Sequence, residues 1–118
     1  MPEALRRGFR GRVFGCDVCQ DVCPFNRGDL PEGDGRFAPR PLADLAPAEL
    51  AALAPAELER LAAGMALARA NPDGLRRNAL YAIGAARDRE ARPVAERLTR
   101  DPSPAVRDAA IWALGRLG

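Results

Sequence analysis

The strongest constraint on the fold of this chain is a repeat at an offset of 31 residues within residues 74–118. Leu75 falls on Val106, Arg76 on Arg107, Ala79 on Ala110, Leu80 on Ile111, Tyr81 on Trp112, Ala82 on Ala113, Ile83 on Leu114 and Gly84 on Gly115. Apolar residues recur at helical spacing in both copies: Leu75, Ala79, Ala82 and Ile83 in one, Val106, Ala110, Ala113 and Leu114 in the other. Gly84 and Gly115 stand where helix C-caps are expected. Between the copies, Ala91, Val94, Ala95 and Leu98 mark one face of a middle helix, with Asp88 as its N-cap. The Asp101-Pro102-Ser103-Pro104 stretch then stops that helix and starts the next, with Ser103 at the N-cap and Pro104 as the first helical residue. Helix–turn–helix units at this period stack into α-solenoids.

The stretch Asp101–Gly115 resembles the HEAT-repeat family. About one and a half repeats are present, whereas such arrays need about three for stability, so the unit is expected to pack on something else. Tyr81 and Trp112, at equivalent positions, read either as packing between repeats or as a stacking platform. A smaller echo lies upstream, where Leu45-Ala-Pro-Ala-Glu-Leu50 recurs as Leu53-Ala-Pro-Ala-Glu-Leu58. Proline in the first turn with an early glutamate predicts short helices over 47–53 and 55–63, the second ended by Gly64. Another short helix is predicted over Pro2 to Arg7. Gly28, Pro31, Gly33, Gly35, Pro39, Pro41 and Pro47 predict irregular chain over 27–47, a linker or a wrapped loop. Alanine supplies 24 residues of the 47% that are apolar, which suits thin, closely packed helices. The expected architecture is mainly α. A ferredoxin-like cluster-binding segment (1–40) leads through a linker with short helices (41–73) to HEAT-like helices (74–118).

All three cysteines lie in Gly15-Cys16-Asp17-Val18-Cys19-Gln20-Asp21-Val22-Cys23-Pro24-Phe25-Asn26, a C-x2-C-x3-C-P pattern. Three thiols cannot all pair within one chain, nor supply four metal ligands. A thioredoxin-like redox pair wants a βαβ context that is lacking. The bacterial ferredoxin run is C-x2-C-x2-C-x3-C-P, and its last three cysteines have this spacing; Val13 stands where the first would fall. An iron–sulfur site fits best, with zinc shared with another chain or an incidental motif as alternatives. In two-cluster proteins the cysteine before proline ligates the other cluster. Cys16 and Cys19 are then expected on one [4Fe–4S] cluster and Cys23 on a second, with five of the eight thiolates supplied from outside. Phe14, Val18, Val22 and Phe25 are the apolar residues expected to shield them.

The stretch from Pro2 through Asn26 resembles the second cluster motif of the epoxyqueuosine reductase family. Pro41-Leu42, the helices at 47–63, Gly74-Leu75-Arg76-Arg77-Asn78-Ala79 and residues 101–118 match that family's later segments in order. The resemblance implies an oxidoreductase that converts epoxyqueuosine to queuosine in tRNA, with two [4Fe–4S] clusters and a cobalamin. It implies that this chain is the C-terminal third, with no catalytic residue of its own. The cobalamin-binding part, the catalytic acid and the first cysteine run are implied to lie in a preceding part or an equivalent chain, and the chain alone is expected to be inactive. It also implies that the HEAT-like end holds the tRNA anticodon stem-loop. Where that family tends to carry a basic run before Gly74, this sequence reads Ala68, Arg69, Ala70, Asn71, Pro72 and Asp73.

Charge points the same way, weakly. The net charge is +2, every basic residue is arginine, and residues 74–118 carry nine arginines against five acids. Arg69, Arg76, Arg77 and Arg107 are the candidates for phosphate contact, each readable equally as a helix-surface arginine with an i±4 partner or solvent, with Asn78 as a further RNA contact or a hydrogen-bond partner of nearby backbone. The absence of histidine removes imidazole acid–base chemistry and Ser-His-Asp triads. No apolar run reaches the ~18 residues that span a bilayer, and the first residues lack a signal-type run, so no membrane partner and a cytoplasmic location are expected. Two other readings stay open: an iron–sulfur electron-transfer or scaffold protein with HEAT repeats, and a plain HEAT interaction module.

Overall fold

A computed structural model describes residues 1–9, 11–28, 33 and 41–118. Much of the irregular stretch expected over 27–47 lies outside the described residues. Among the described residues seven α-helices follow in order: α1 (Glu3–Arg7), α2 (Val18–Asp21), α3 (Pro47–Ala52), α4 (Pro55–Ala62), α5 (Pro72–Ala86), α6 (Arg92–Leu98) and α7 (Pro104–Leu117). There is no β-strand among the described residues.

Helix α5 is the centre of the fold, with α1, α3, α4 and α7 all packed on it and α6 on α7. Leu58, Leu75, Leu80, Ile83, Val106 and Leu117 are fully buried between these helices. Ala79, Ala109, Ala110 and Ala113 are buried to the last atom and let the α5 and α7 backbones approach closely. Helices α3 and α4 are more than a linker. Leu50, Ala51, Leu58 and Ala62 belong to the same apolar core, because each helix supplies one apolar stripe that needs a partner.

The glycine reading is corrected. Gly84 is not a C-cap but lies inside α5, against the ring of Trp112. A Cβ there would sit 2.5 Å from Trp112 Cζ3 and 3.0 Å from the Ala113 Cα. The close approach of two helices therefore selects glycine at this position. The repeat-equivalent Gly115 lies inside α7 with open space beside it. Helix α5 runs on to Ala86, and Arg87 takes the left-handed conformation at φ 55°. The Asp88 N–H then donates to the Ile83 carbonyl and that of Arg87 to Gly84, closing the helix end without glycine.

Capping also differs at the helix starts. Asn71 caps α5 by accepting from the Asp73 N–H at 2.9 Å, and Pro72 opens the first turn. The Asn71-Pro72-Asp73 stretch is thus a helix start. Asp88 accepts from the Glu90 N–H as expected, ahead of a short 3₁₀ turn leading into α6. The Ser103 side chain makes no capping bond; Asp101 Oδ1 takes the Ser103 N–H instead, at 3.0 Å.

Candidate metal centre and nucleic-acid interface

The cysteine segment is a chain of tight turns. Gly15 adopts φ +67°, a conformation open to glycine at little cost, immediately before Cys16. Asp17 then accepts the N–H groups of Gln20 and Asp21, starting the single turn of α2 that carries Cys19. The Cys23 N–H returns to the Gln20 carbonyl, and Pro24 opens a 3₁₀ turn over Pro24–Asn26. Asn26 Nδ2 ties this turn back to Gln20, 2.8 Å from its Oε1 and 3.2 Å from its carbonyl. The loop is thereby closed without apolar packing.

Cys16 and Cys19 are exposed, Cys23 is half-buried, and none forms a disulfide. Their neighbours Phe14, Val18, Val22 and Phe25 are all exposed, Phe25 by 89%. Among the described residues no group of three or more His, Cys, Asp or Glu side chains gathers into a metal site. Soft, free thiols framed by apolar side chains fit iron–sulfur ligation in donor chemistry. Three thiols fit it only as part of a ligand set.

Side chains far apart in sequence dock this segment on the solenoid. Tyr81 lies buried between Phe9 and Trp112, with ring centroids 5.3 Å and 5.5 Å apart, the second pair edge-to-face. The packing reading of Tyr81 and Trp112 is thus the one realised, and its partner ring comes from outside the repeat. The Arg6 guanidinium stands 5.5 Å from the Tyr81 ring centroid. Trp112 Nε1 donates to Glu3 Oε2 at 2.7 Å, which holds the Glu3 carboxyl below the usual carboxylate range. Asn78 Nδ2 donates to the Val13 carbonyl at 3.0 Å. Apart from the Tyr81–Trp112 pair, which the repeat offset already relates, these contacts join residues 65 to 109 positions apart and leave no trace in local spacing.

The five residues considered for RNA contact separate. Arg69 is exposed, at the end of a 3₁₀ turn over Ala66–Arg69. Arg77 is half-buried, with Nε and Nη2 both on Asn78 Oδ1 at 3.1 and 3.0 Å. Arg107 spends Nη1 on the Asp101 and Pro102 carbonyls at 2.7 and 2.8 Å. Asn78 is engaged at both ends of its amide.

Arg76 is a correction. Its side chain is 5% exposed and its guanidinium is consumed by Asp101, Asp73 and the Ala51 carbonyl. The apolar stripe of α5 faces α3 and the loop before α7, and Arg76 lies on that inner side, where a phosphate cannot reach it. Burial pushes the Asp101 carboxyl up, but the Arg76 guanidinium, the Ser103 N–H and the charge of Arg107 outweigh it and hold Asp101 below its ordinary range.

The fold and the docked segment define the class, an α-solenoid of HEAT repeats with a cysteine-bearing segment on its central helix. Residues 62–118 match the family described as HEAT repeats. The epoxyqueuosine reductase of Lactococcus garvieae is 36% identical, aligned over 99% of this chain and 34% of that protein. That of Pseudomonas aeruginosa is 40% identical, over 100% of this chain and 33% of that protein. A crystal structure of an epoxyqueuosine reductase with an epoxyqueuosine-modified tRNA-Tyr stem-loop superposes with TM-score 0.86 and 30% identity, over 99% of this chain and 32% of that one. The chain is similar to epoxyqueuosine reductases from end to end and spans about a third of the length of the curated relatives it matches. No helix among the described residues is long and apolar enough to cross a membrane.

Proposed function

We propose that this chain is the C-terminal third of a cytoplasmic tRNA epoxyqueuosine reductase, supplying thiolates to two [4Fe–4S] clusters and part of the surface that meets the tRNA anticodon stem-loop. The observation that carries this reading is the extent of the match. Cysteine segment and solenoid align together, in one order and one relative arrangement, with a relative solved on such a stem-loop. Cys16 and Cys19 are the ligands for one cluster and Cys23, turned aside by Pro24, for the other. Such clusters, when bound, carry single electrons. The exposed apolar residues around the thiols exclude water once a partner covers them, and the cobalamin belongs to the remaining two thirds. Of the four candidate arginines, Arg69 and Arg77 are best placed to meet phosphate, since Arg76 is buried and Arg107 is tied to backbone.

The test pairs the chain with the other two thirds of the Pseudomonas aeruginosa relative, purified without oxygen. A stable complex that binds iron in excess of either part, and loses most of it in Cys16→Ser or Cys23→Ser, is the expected result. Absence of both complex and added iron overturns the reading. Stem-loop affinity is expected to fall steeply with salt, and Arg77→Ala to reduce that slope by about one.

A further inference from the structure

Asn78 joins the two features on which the proposed function rests, the cysteine loop and the phosphate-facing arginine. Its Nδ2 donates to the carbonyl of Val13, three residues before Cys16. Its Oδ1 accepts both Nε and Nη2 of Arg77, which leaves the Nη1 edge of that guanidinium for a ligand. Among the described residues, no backbone–backbone hydrogen bond involves residues 13–16; the nearest are Arg12 to Phe9 and Gln20 to Asp17. The Asn78 amide is therefore the described hydrogen bond that ties this stretch to the body of the fold. Asn78, Val13, Phe14 and Cys16 also line one groove, of about 540 Å³, floored by Leu5 and Phe9.

We infer that Asn78 is a positioning residue that couples occupancy of Arg77 by a nucleic-acid phosphate to the placement of Cys16. A phosphate that fixes the Arg77 guanidinium restricts the Asn78 amide it is bound to, and the amide restricts the Val13 carbonyl. Asn78 thus acts on the cysteine loop without contacting RNA itself. The inference rests on the proposed function for the identity of the anion, not for the strut.

The test is a spin-label distance measurement on the full chain. Cys19→Ser and Cys23→Ser leave Cys16 as the native label site. Gly115→Cys supplies the second, on a face of α7 with room for a side chain. The distance distribution is expected to be narrow in this background and to broaden at least about twofold in Asn78→Asp, which keeps the acceptor for Arg77 but sets a carboxylate against the Val13 carbonyl. Arg77→Ala is expected to leave it narrow. Adding the anticodon stem-loop is expected to narrow it further in the parent and to do nothing in Asn78→Asp or Arg77→Ala. A merely structural asparagine would not make the distribution depend on the ligand. Asn78→Ser, too short to reach Val13 and uncharged, replaces Asn78→Asp if circular dichroism shows that variant unfolded. An unchanged distribution in the Asn78 variants overturns the strut, as does a stem-loop response that survives in them. Failure of the parent to bind any stem-loop overturns the coupling and the RNA contact proposed for Arg77, while the ligand-free comparison still decides the strut.

Discussion

Residues 1–25 leave Met1, Leu5, Phe14, Val18, Val22 and Phe25 exposed, whereas among the described residues of 41–118 only Ile111 among the large apolar side chains is in that state. Both regions are built from helices and turns. They differ in how far the helices run: 5 and 4 residues in α1 and α2, against 15 and 14 in α5 and α7. In α3 to α7 each helix repeats its apolar residues on one face, so burial of one stripe enforces burial of the next. In the cysteine segment Phe14, Val18, Val22 and Phe25 stand at helical spacing, but α2 runs only from Val18 to Asp21, so turn hydrogen bonds and not one packed helix face set the backbone. The solenoid therefore buries nearly all of its large apolar side chains. The cysteine segment is held by a few long-range ties to Tyr81, Trp112 and Asn78 and presents its thiols and apolar groups outward, as a surface awaiting a partner does.

The largest expected effect breaks the solenoid. Arg76→Ala or Asp101→Ala strands a buried charge and is expected to cost about 3–5 kcal/mol in urea unfolding. The same pair sets an acid limit. Because the folded Asp101 carboxyl titrates below its ordinary value of 3.8, its contribution is complete above that value and is lost as pH falls through the lower, folded one. Asp101→Asn is expected to flatten stability against pH below about 4; an unchanged acid limb contradicts the clasp.

Next come the two repeat-equivalent glycines, which separate close packing from mere repetition. Gly84→Ala is expected to destabilise by about 1–3 kcal/mol through the Trp112 ring. Gly115→Ala is expected to stabilise by up to about 1 kcal/mol. Equal signs in thermal melts would show that the α5–α7 contact is looser than described.

Phe9→Ala tests the docking of the two regions. Loss of the Phe9–Tyr81 pair, of the order of 1 kcal/mol, is expected to open residues 1–28 to limited proteolysis while leaving the solenoid helicity unchanged. The smallest effect concerns the cysteines in the metal-free chain. Cys16→Ser and Cys19→Ser, at exposed positions, are expected to shift urea unfolding by less than about 0.5 kcal/mol. A larger shift would mean that the thiols serve the fold and not a ligand.

Much of this was legible from the residues alone. The 31-residue offset, the apolar faces, Pro47, Pro55 and Pro104 in first turns and Asp88 as a cap are local signals, and local signals decide where helices lie. The C-x2-C-x3-C-P spacing is local too, so the type of chemistry at Cys16, Cys19 and Cys23 could be read as an expectation. What the sequence hid is what depends on distance. Gly84 read as a cap because a glycine near the end of an apolar run is ambiguous until the opposing Trp112 is seen. Arg76 read as a phosphate contact because its partner Asp101 lies 25 residues away. Asn78 read as either an RNA contact or a partner of nearby backbone, because nothing near it in sequence announces Val13.

By itself, then, the sequence determined the helical class, the repeat and the spacing of the cysteines, since backbone propensity and side-chain period act over a few residues. Only the tertiary structure decided which of the candidate arginines are buried or bonded, which glycine a helix contact demands and how the cysteine loop is held to the solenoid. Those outcomes rest on burial and on hydrogen bonds between residues 25 to 109 positions apart, and such pairings exist only once the helices have packed.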